Sequence, residues 1–309
     1  MKNKYKIGII GLGVVGSQFK RWFEEENGYE RGIDLFLYDI ASSKGYLDDI
    51  NNAEVIFLCV PTPSLKDGSI NLSLIDSAFK KINGNKIIII KSTVLPGTTE
   101  QFQKDYKQHK ILFSPEFLTE KNAWGDFNKP KRQIVGFTEE NLDIAHKILA
   151  ILPQAPFMSP NDNALQPTKI TATEAEMIKY GGNIFIARKI NFSNIIALLS
   201  EKVGADYENV QMGIAADNRI GGSHLDVLHG GYKGFGGCCI PKDFNAFICS
   251  LKSFGLDECT GLLEKDREFN EKLIATQGLT IEEVSVCTFK NKSGDRKLKN
   301  SDGRIGQVE

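Results

Sequence analysis

The sequence predicts an α/β fold: a doubly wound parallel sheet followed by a helical domain built on one long helix. Two observations carry this expectation. Short apolar runs alternate with amphipathic stretches through the first half, and a proline-rich stretch then gives way to an unbroken helical pattern. The strand-like runs are Tyr5–Ile10, Ile33–Tyr38, Val55–Val60, Lys86–Ile90, Lys110–Phe113 and Gln133–Phe137. Most are continuous and β-branched, the pattern of parallel strands buried on both faces. Helical candidates lie between several of them, near Val14–Glu26, Leu72–Ile82, Thr99–Lys107 and Asn141–Leu149. Strand–helix alternation of this kind belongs to a parallel sheet wound on both sides.

Pro153, Pro156, Pro160 and Pro167 sit among Asn, Asp and Ser, and this stretch reads as a linker. The domains expected from it are residues 1–165, then 166–275, then a short tail, 276–309. The long helix is expected over Thr171–Val203, with Thr173 and Glu176 at capping-box spacing. At 1.5 Å per residue it would span about 50 Å, a length that suits a domain or dimer interface. A glycine-rich loop, Gly221–Gly237, and further helix to about Ala275 follow. Glu283–Phe289 could form one strand, and polar Asn291–Glu309 is expected to be disordered.

Among 309 residues, 38 basic side chains oppose 39 acidic ones, for a net charge of −1. No global basic field calls for nucleic acid. No apolar run approaches the roughly 18 residues of a membrane span. The Lys-rich start runs into a glycine turn rather than a cleavage site. The six cysteines show no metal-ligand spacing, so reduced thiols, no metal and a cytoplasmic setting are expected.

Gly11, Gly13 and Gly16 follow the first strand and open a helix with G-x-G-x-x-G spacing. The first glycine makes the turn, the second admits a pyrophosphate, and the third lets helix and strand pack closely. The helix N-terminus adds amides and partial positive charge. Asp39 ends the second strand, where a carboxylate accepts from the ribose hydroxyls of NAD and repels the 2′-phosphate of NADP. The first domain is therefore read as a Rossmann-type NAD-binding domain.

Six further segments stand out: Cys59–Pro63, Lys91–Thr98, Ser114–Glu120, Ala175–Asn183, Asp217–Gly221 and Gly234–Asp243. Lys179 and Asn183 share a helix face and can orient a hydroxyl or an oxyanion. Cys239 follows a glycine-rich loop near Lys242, a setting that favours a thiolate. Glu116 and Glu120 follow a strand end, where α/β sheets bind ligands. Taken singly, such a pair is most often a solvated helix face, and such a cysteine a small core residue.

Taken in order, these segments resemble the nucleotide-sugar 6-dehydrogenase (UDP-glucose/GDP-mannose dehydrogenase) family, from about Lys6 to Asn270. The resemblance implies a four-electron oxidation of a sugar C6 alcohol to a carboxylate with two NAD. The expected conversion is UDP-glucose to UDP-glucuronate. The alternatives are GDP-mannose or another nucleotide sugar, or a truncated or split form that binds NAD without full activity. The resemblance makes Cys239 the nucleophile, passing through a thiohemiacetal and a thioester. Lys179 and Asn183 would hold the oxyanion, Asp243 would assist proton transfer, and Glu120, with Thr93, would direct the hydrolytic water. NAD contacts would come from Gly11, Gly13, Val14, Val15, Gly16, Asp39, Val60, Pro61, Thr62 and Thr93. Substrate contacts would come from Glu116, Phe117, Leu118, Lys179, Asn183, Gly236 and Arg219. By the same resemblance, Arg219 reaches a neighbouring subunit's substrate in a homodimer built on the long helix. Family members usually continue into a second nucleotide-binding domain, which this sequence is expected to lack. A single-step 3-hydroxyacid dehydrogenase would share the first domain and the Lys/Asn pair but would need no cysteine.

Overall fold

The computed structural model describes residues 4–138, 141–163, 165, 167–228 and 230–286. In chain order its elements are β1 (Ile7–Ile10), α1 (Val14–Arg21), β2 (Leu35–Tyr38), β3 (Val55–Leu58), α2 (Ser73–Phe79), β4 (Ile87–Ile90), α3 (Thr98–Asp105) and β5 (Lys110–Phe113). Next come α4 (Ala123–Asn128), β6 (Arg132–Ile134), β7 (Gly136–Phe137), α5 (Leu142–Leu149), β8 (Phe157–Ser159) and the long helix α6 (Ala172–Val203). The last are α7 (Tyr207–Ala215), α8 (Ile240–Ser253), α9 (Asp257–Ala275) and α10 (Ile281–Val284).

The chain divides into two compact units. The first holds the described residues through Phe185 together with Lys242–Thr260, and the second holds Ile186–Pro241 and the described residues from Gly261. This division differs from the boundary expected near residue 165. The first unit takes back part of α8, because Ala246 packs with Tyr180 and Ile70.

In the first unit, six strands run in the order β2-β1-β3-β4-β5-β7. β1 to β5 are parallel, and β7 pairs antiparallel with β5. Alternate residues of each strand face opposite sides. Ile56, Leu58, Ile88 and Ile90 pack with Phe79 and Phe102 on one side. Ile7, Ile9, Leu37, Phe57 and Ile89 pack with Phe19, Phe23 and Ile148 on the other. Each fully buried Ile, Leu or Phe contributes roughly 1.5–3 kcal/mol, which is why these runs read as continuously apolar. β1 is flanked by β2 and β3, so the order reverses there and the crevice opens beyond the C-terminal ends of β1 and β3.

Several local expectations are corrected. Gln133–Phe137 is not one strand: β6 pairs with β8 in a separate two-stranded sheet, whereas β7 turns to β5. Gly136 sits at the change of partner. A Cβ there would lie 2.6 Å from the Thr171 carbonyl oxygen, so only glycine admits that approach. The proline-rich stretch is not an open linker, since it contains β8 and the buried Leu152. The box at the start of α6 is formed by Thr171 and Glu174, not Thr173 and Glu176. The strand expected over Glu283–Phe289 begins as α10, because Thr280 and Glu283 form a capping box. Residues 287–289 and the expected tail, Asn291–Glu309, lie outside the described residues.

The second unit has its own small core of Tyr232, Ile274 and Val284. Two side-chain amides of α9 and its end hold the glycine-rich loop. Asn270 Oδ1 accepts from the Phe235 amide at 2.7 Å, and its Nδ2 donates to the Phe235 carbonyl at 3.0 Å. Gln277 does the same for Lys233, at 2.7 and 2.9 Å. No described helix is long and apolar enough to cross a membrane.

Candidate active site

The glycine turn after β1 is built by steric need. Gly11 has φ +90°, and a Cβ there would lie 2.7 Å from the Cys59 carbonyl oxygen. At Gly16 a Cβ would sit 1.9 Å from the Gly11 oxygen. Around Gly13 a Cβ would meet nothing within 4 Å, so the open side of the turn faces the crevice. Val14 is exposed, Val15 half-buried, and the first turn of α1 carries neither an acidic residue nor a side-chain cap. A dinucleotide's pyrophosphate fits such a turn, with no acidic residue in the first turn of α1 to compete for its amides.

Asp39 ends β2 and is 6% exposed. Its Oδ2 accepts from the Leu12 amide and from Lys44 Nζ, both at 2.7 Å, and its Oδ1 accepts from the Ala41 amide at 2.9 Å. Burial alone would raise its pKa. Lys44 and the Ala41 and Leu12 amides outweigh that and hold it below the usual carboxylate range. Asp39 therefore stays ionised, as an acceptor of ribose hydroxyls must. Lys44 also donates to the Leu12 carbonyl at 3.0 Å, tying the second strand to the glycine turn.

The loops after β3 and β4 are tied together. Ser92 Oγ donates to the Val60 carbonyl at 2.6 Å, and Thr62 Oγ1 donates to the Thr93 carbonyl at 2.8 Å. Pro61 is exposed, Val60 and Thr93 half-buried. All of these residues, with the glycine turn and Asp39, belong to the first unit.

A second group gathers on α6. Lys179 Nζ donates to the Glu116 carbonyl at 2.5 Å. One turn on, Asn183 Nδ2 donates to Asp243 Oδ2 at 2.6 Å, and Lys242 Nζ pairs with Asp243 Oδ1 at 2.6 Å. The Glu116 carboxylate is used within its own loop: Oε1 accepts from the Phe117 and Leu118 amides, and Oε2 lies 3.5 Å from buried Lys91. Arg132, which the sequence reading passed over, stacks its guanidinium 3.6 Å from the Phe117 ring centroid. Arg132, Lys91, Glu116, Phe117, Thr119 and Ile178 help line a cavity of about 790 Å³.

Glu176 is the other residue the sequence misassigned. It is fully buried and accepts from the Gly97 amide at 2.6 Å and from the Thr99 amide and hydroxyl at 2.9 and 2.6 Å. It thereby ties α6 to the start of α3. Burial pushes its carboxyl up to about 7, against the opposing pull of those donors. The folded state then holds a proton that the unfolded chain releases near the ordinary glutamate value of 4.5. The Glu176 contribution to stability is therefore fully present below that value and is lost as pH rises towards about 7, by up to about 3 kcal/mol. Urea unfolding at about pH 5 and about pH 8 should show this loss in the wild type and a smaller one in Glu176→Gln. Equal losses in both would remove Glu176 as the source.

The remaining predicted residues lie elsewhere. Cys239 occupies the exposed turn immediately before α8 and, with Gly236 and Arg219, belongs to the second unit. Gly236 has a packing reason of its own, since a Cβ there would strike the Tyr232 hydroxyl and the Val284 carbonyl. Arg219 is 89% exposed and pairs with Asp217 at 2.6 Å. Glu120 opens a 3-10 turn, Glu120–Asn122, and its side chain lies outside the described residues. No group of three metal-ligating side chains occurs among the described residues.

The sequence matches two models of one family: "UDP-glucose/GDP-mannose dehydrogenase family, NAD binding domain" over residues 38–152 and "central domain" over 173–272. It is 38% identical over 221 residues to the UDP-glucose 6-dehydrogenase of Rickettsia bellii, covering 69% of this chain and 48% of that protein. A UDP-glucose dehydrogenase structure from Pyrobaculum islandicum is 27% identical, with TM-score 0.70 over 87% of this chain and 68% of that one. A GDP-mannose dehydrogenase structure from Pseudomonas aeruginosa is 25% identical, with TM-score 0.57 over 87% of this chain and 69% of that one. The chain thus spans about half the length of the Rickettsia relative.

Proposed function

This chain belongs to the UDP-glucose/GDP-mannose dehydrogenase family, and from that premise we propose that it oxidises C6 of UDP-glucose to the carboxylate. The observation that carries the proposal is that Lys179 and Asn183, one turn apart on α6, make direct contacts with the Glu116 carbonyl and with Asp243 respectively. UDP-glucose is preferred over GDP-mannose because the relatives at 32–38% identity include several named UDP-glucose 6-dehydrogenases.

Bound NAD supplies the hydride acceptor for each of the two oxidations. Gly11, Gly13, Gly16, Val14 and Val15 seat its pyrophosphate, Asp39 its ribose, and Val60, Pro61, Thr62 and Thr93 line the path towards the sugar. The Lys179 ammonium and the Asn183 amide stabilise negative charge on the C6 oxygen. Asp243, held between Asn183 and Lys242, orients that amide and assists proton movement. Cys239 adds its sulfur to the C6 aldehyde, and loss of a second hydride leaves a thioester. Glu120 and Thr93 direct water onto the thioester carbon, which frees the carboxylate and returns the thiol. Glu116, Phe117, Leu118 and Gly236 shape the substrate site.

The same reading makes the chain a homodimer, with Arg219 reaching the neighbouring subunit's substrate. Phe192, Ile195, Leu199 and Val203 are exposed at helical spacing and form an apolar stripe on α6, which an isolated chain would leave in water. The reaction is placed in the cytoplasm, where the thiol stays reduced. The test is NADH production by the purified chain, which should sediment as two copies. Two NADH per UDP-glucose consumed are expected. One NADH per sugar, or none from UDP-glucose with turnover of GDP-mannose, would overturn the assignment.

A further inference from the structure

Cys238 and Cys239 are neighbours in the turn before α8, and their sulfurs lie 3.9 Å apart. A disulfide bond needs about 2.05 Å, so the two sulfurs must approach by roughly 2 Å to bond. Cys239 is exposed, Cys238 half-buried, and neither belongs to a helix or strand. Gly237, just before them, has φ +76° and nothing within 4 Å of the place a Cβ would take. Cys239 immediately precedes the 14-residue α8. The other described cysteines are placed differently, exposed Cys259 lying within α9. Cys59 is held by burial at a pKa of about 12, and Cys249 donates to the Asp67 carbonyl.

We propose that Cys238 and Cys239 form a peroxide-sensitive dithiol site, in which Cys238 resolves oxidation of Cys239 by closing a disulfide between them. Its effect on turnover rests on Cys239 being the nucleophile. The Cys239 thiolate attacks one peroxide oxygen and expels hydroxide, leaving a sulfenic acid. The Cys238 sulfur then attacks the Cys239 sulfur. Its proton and the sulfenic hydroxyl leave as water. The two sulfurs lose two electrons, and one hydrogen peroxide is reduced to two waters. The eight-membered ring closed by adjacent cysteines is strained, so a small dithiol reopens it readily. Without Cys238 the sulfenic acid proceeds to sulfinic acid, which a dithiol does not reverse.

The experiment treats the full, reduced chain with hydrogen peroxide and then with dithiothreitol, following turnover and peptide mass together. Trypsin cleaves after Lys233 and Lys242, so Gly234–Lys242 carries this pair and no other cysteine. In the wild type that peptide should become two hydrogens lighter as turnover falls, and dithiothreitol should restore both. Cys238→Ser should retain its starting turnover, gain two oxygens on Cys239, and fail to recover. Oxygen retained on Cys239 of the wild type, beside an unchanged Cys238 thiol, would overturn the proposal. A lighter peptide with undiminished turnover would support the dithiol site and instead overturn Cys239 as the catalytic nucleophile.

Discussion

Cys239→Ser is expected to lower kcat for nucleotide-sugar oxidation by at least about a thousandfold, equivalent to roughly 4 kcal/mol of barrier. Sulfur is a far stronger nucleophile towards the aldehyde than a serine hydroxyl in the same turn. Serine also makes an ester, which hydrolyses more reluctantly than a thioester. The substitution removes no group from the first unit, where the glycine turn and Asp39 reside, so NAD affinity should stay within about twofold of the wild type. Rapid-mixing absorbance at the NADH band, with NAD titration calorimetry on the same preparation, checks both halves. Undiminished turnover would take Cys239 out of the mechanism.

Asp39→Ala carries the second large effect, on the cofactor. The substitution removes the acceptor for the Leu12 and Ala41 amides and leaves Lys44 without its carboxylate. Each such loss at a buried acceptor is worth about 1–3 kcal/mol, and the proposed ribose contact is lost as well. NAD should bind tenfold to a hundredfold more weakly, by the rule of about 1.4 kcal/mol per decade. NADP should lose less, or gain, because Lys44 is released towards a 2′-phosphate. Calorimetric titration of both nucleotides measures the ratio. An unchanged NAD affinity would end the ribose assignment.

The central strands and the glycine turn were legible for a steric reason. A strand covered on both faces must be apolar at every position, and Gly11 and Gly16 tolerate no Cβ against Cys59 and Gly11. The long helix was legible because no proline interrupts Ala172–Val203. Short elements were not. α4 and β8 are held by their neighbours rather than by their own periodicity, although Asp206, which accepts from the Glu208 amide, could have announced α7. Within the site, the residue types on α6 were readable, but their partners were not. That Lys179 reaches a backbone carbonyl, that Glu176 is buried under Thr99, and that Arg132 lies over Phe117 depend on contacts between segments distant in sequence. No spacing within one segment encodes them.

The pairing of Asn270 with Phe235 and of Gln277 with Lys233 has a kinetic consequence. Two side-chain amides here do what a neighbouring β-strand would do, offering donor and acceptor to alternate backbone units of the loop. The Lys233 and Phe235 amides can therefore exchange with solvent deuterium only when those amides let go. In a glycine-rich segment that would otherwise fray freely, local opening becomes coupled to the fluctuations of α9. The cysteine turn thus hangs from a post whose steadiness is set by a helix distant in sequence.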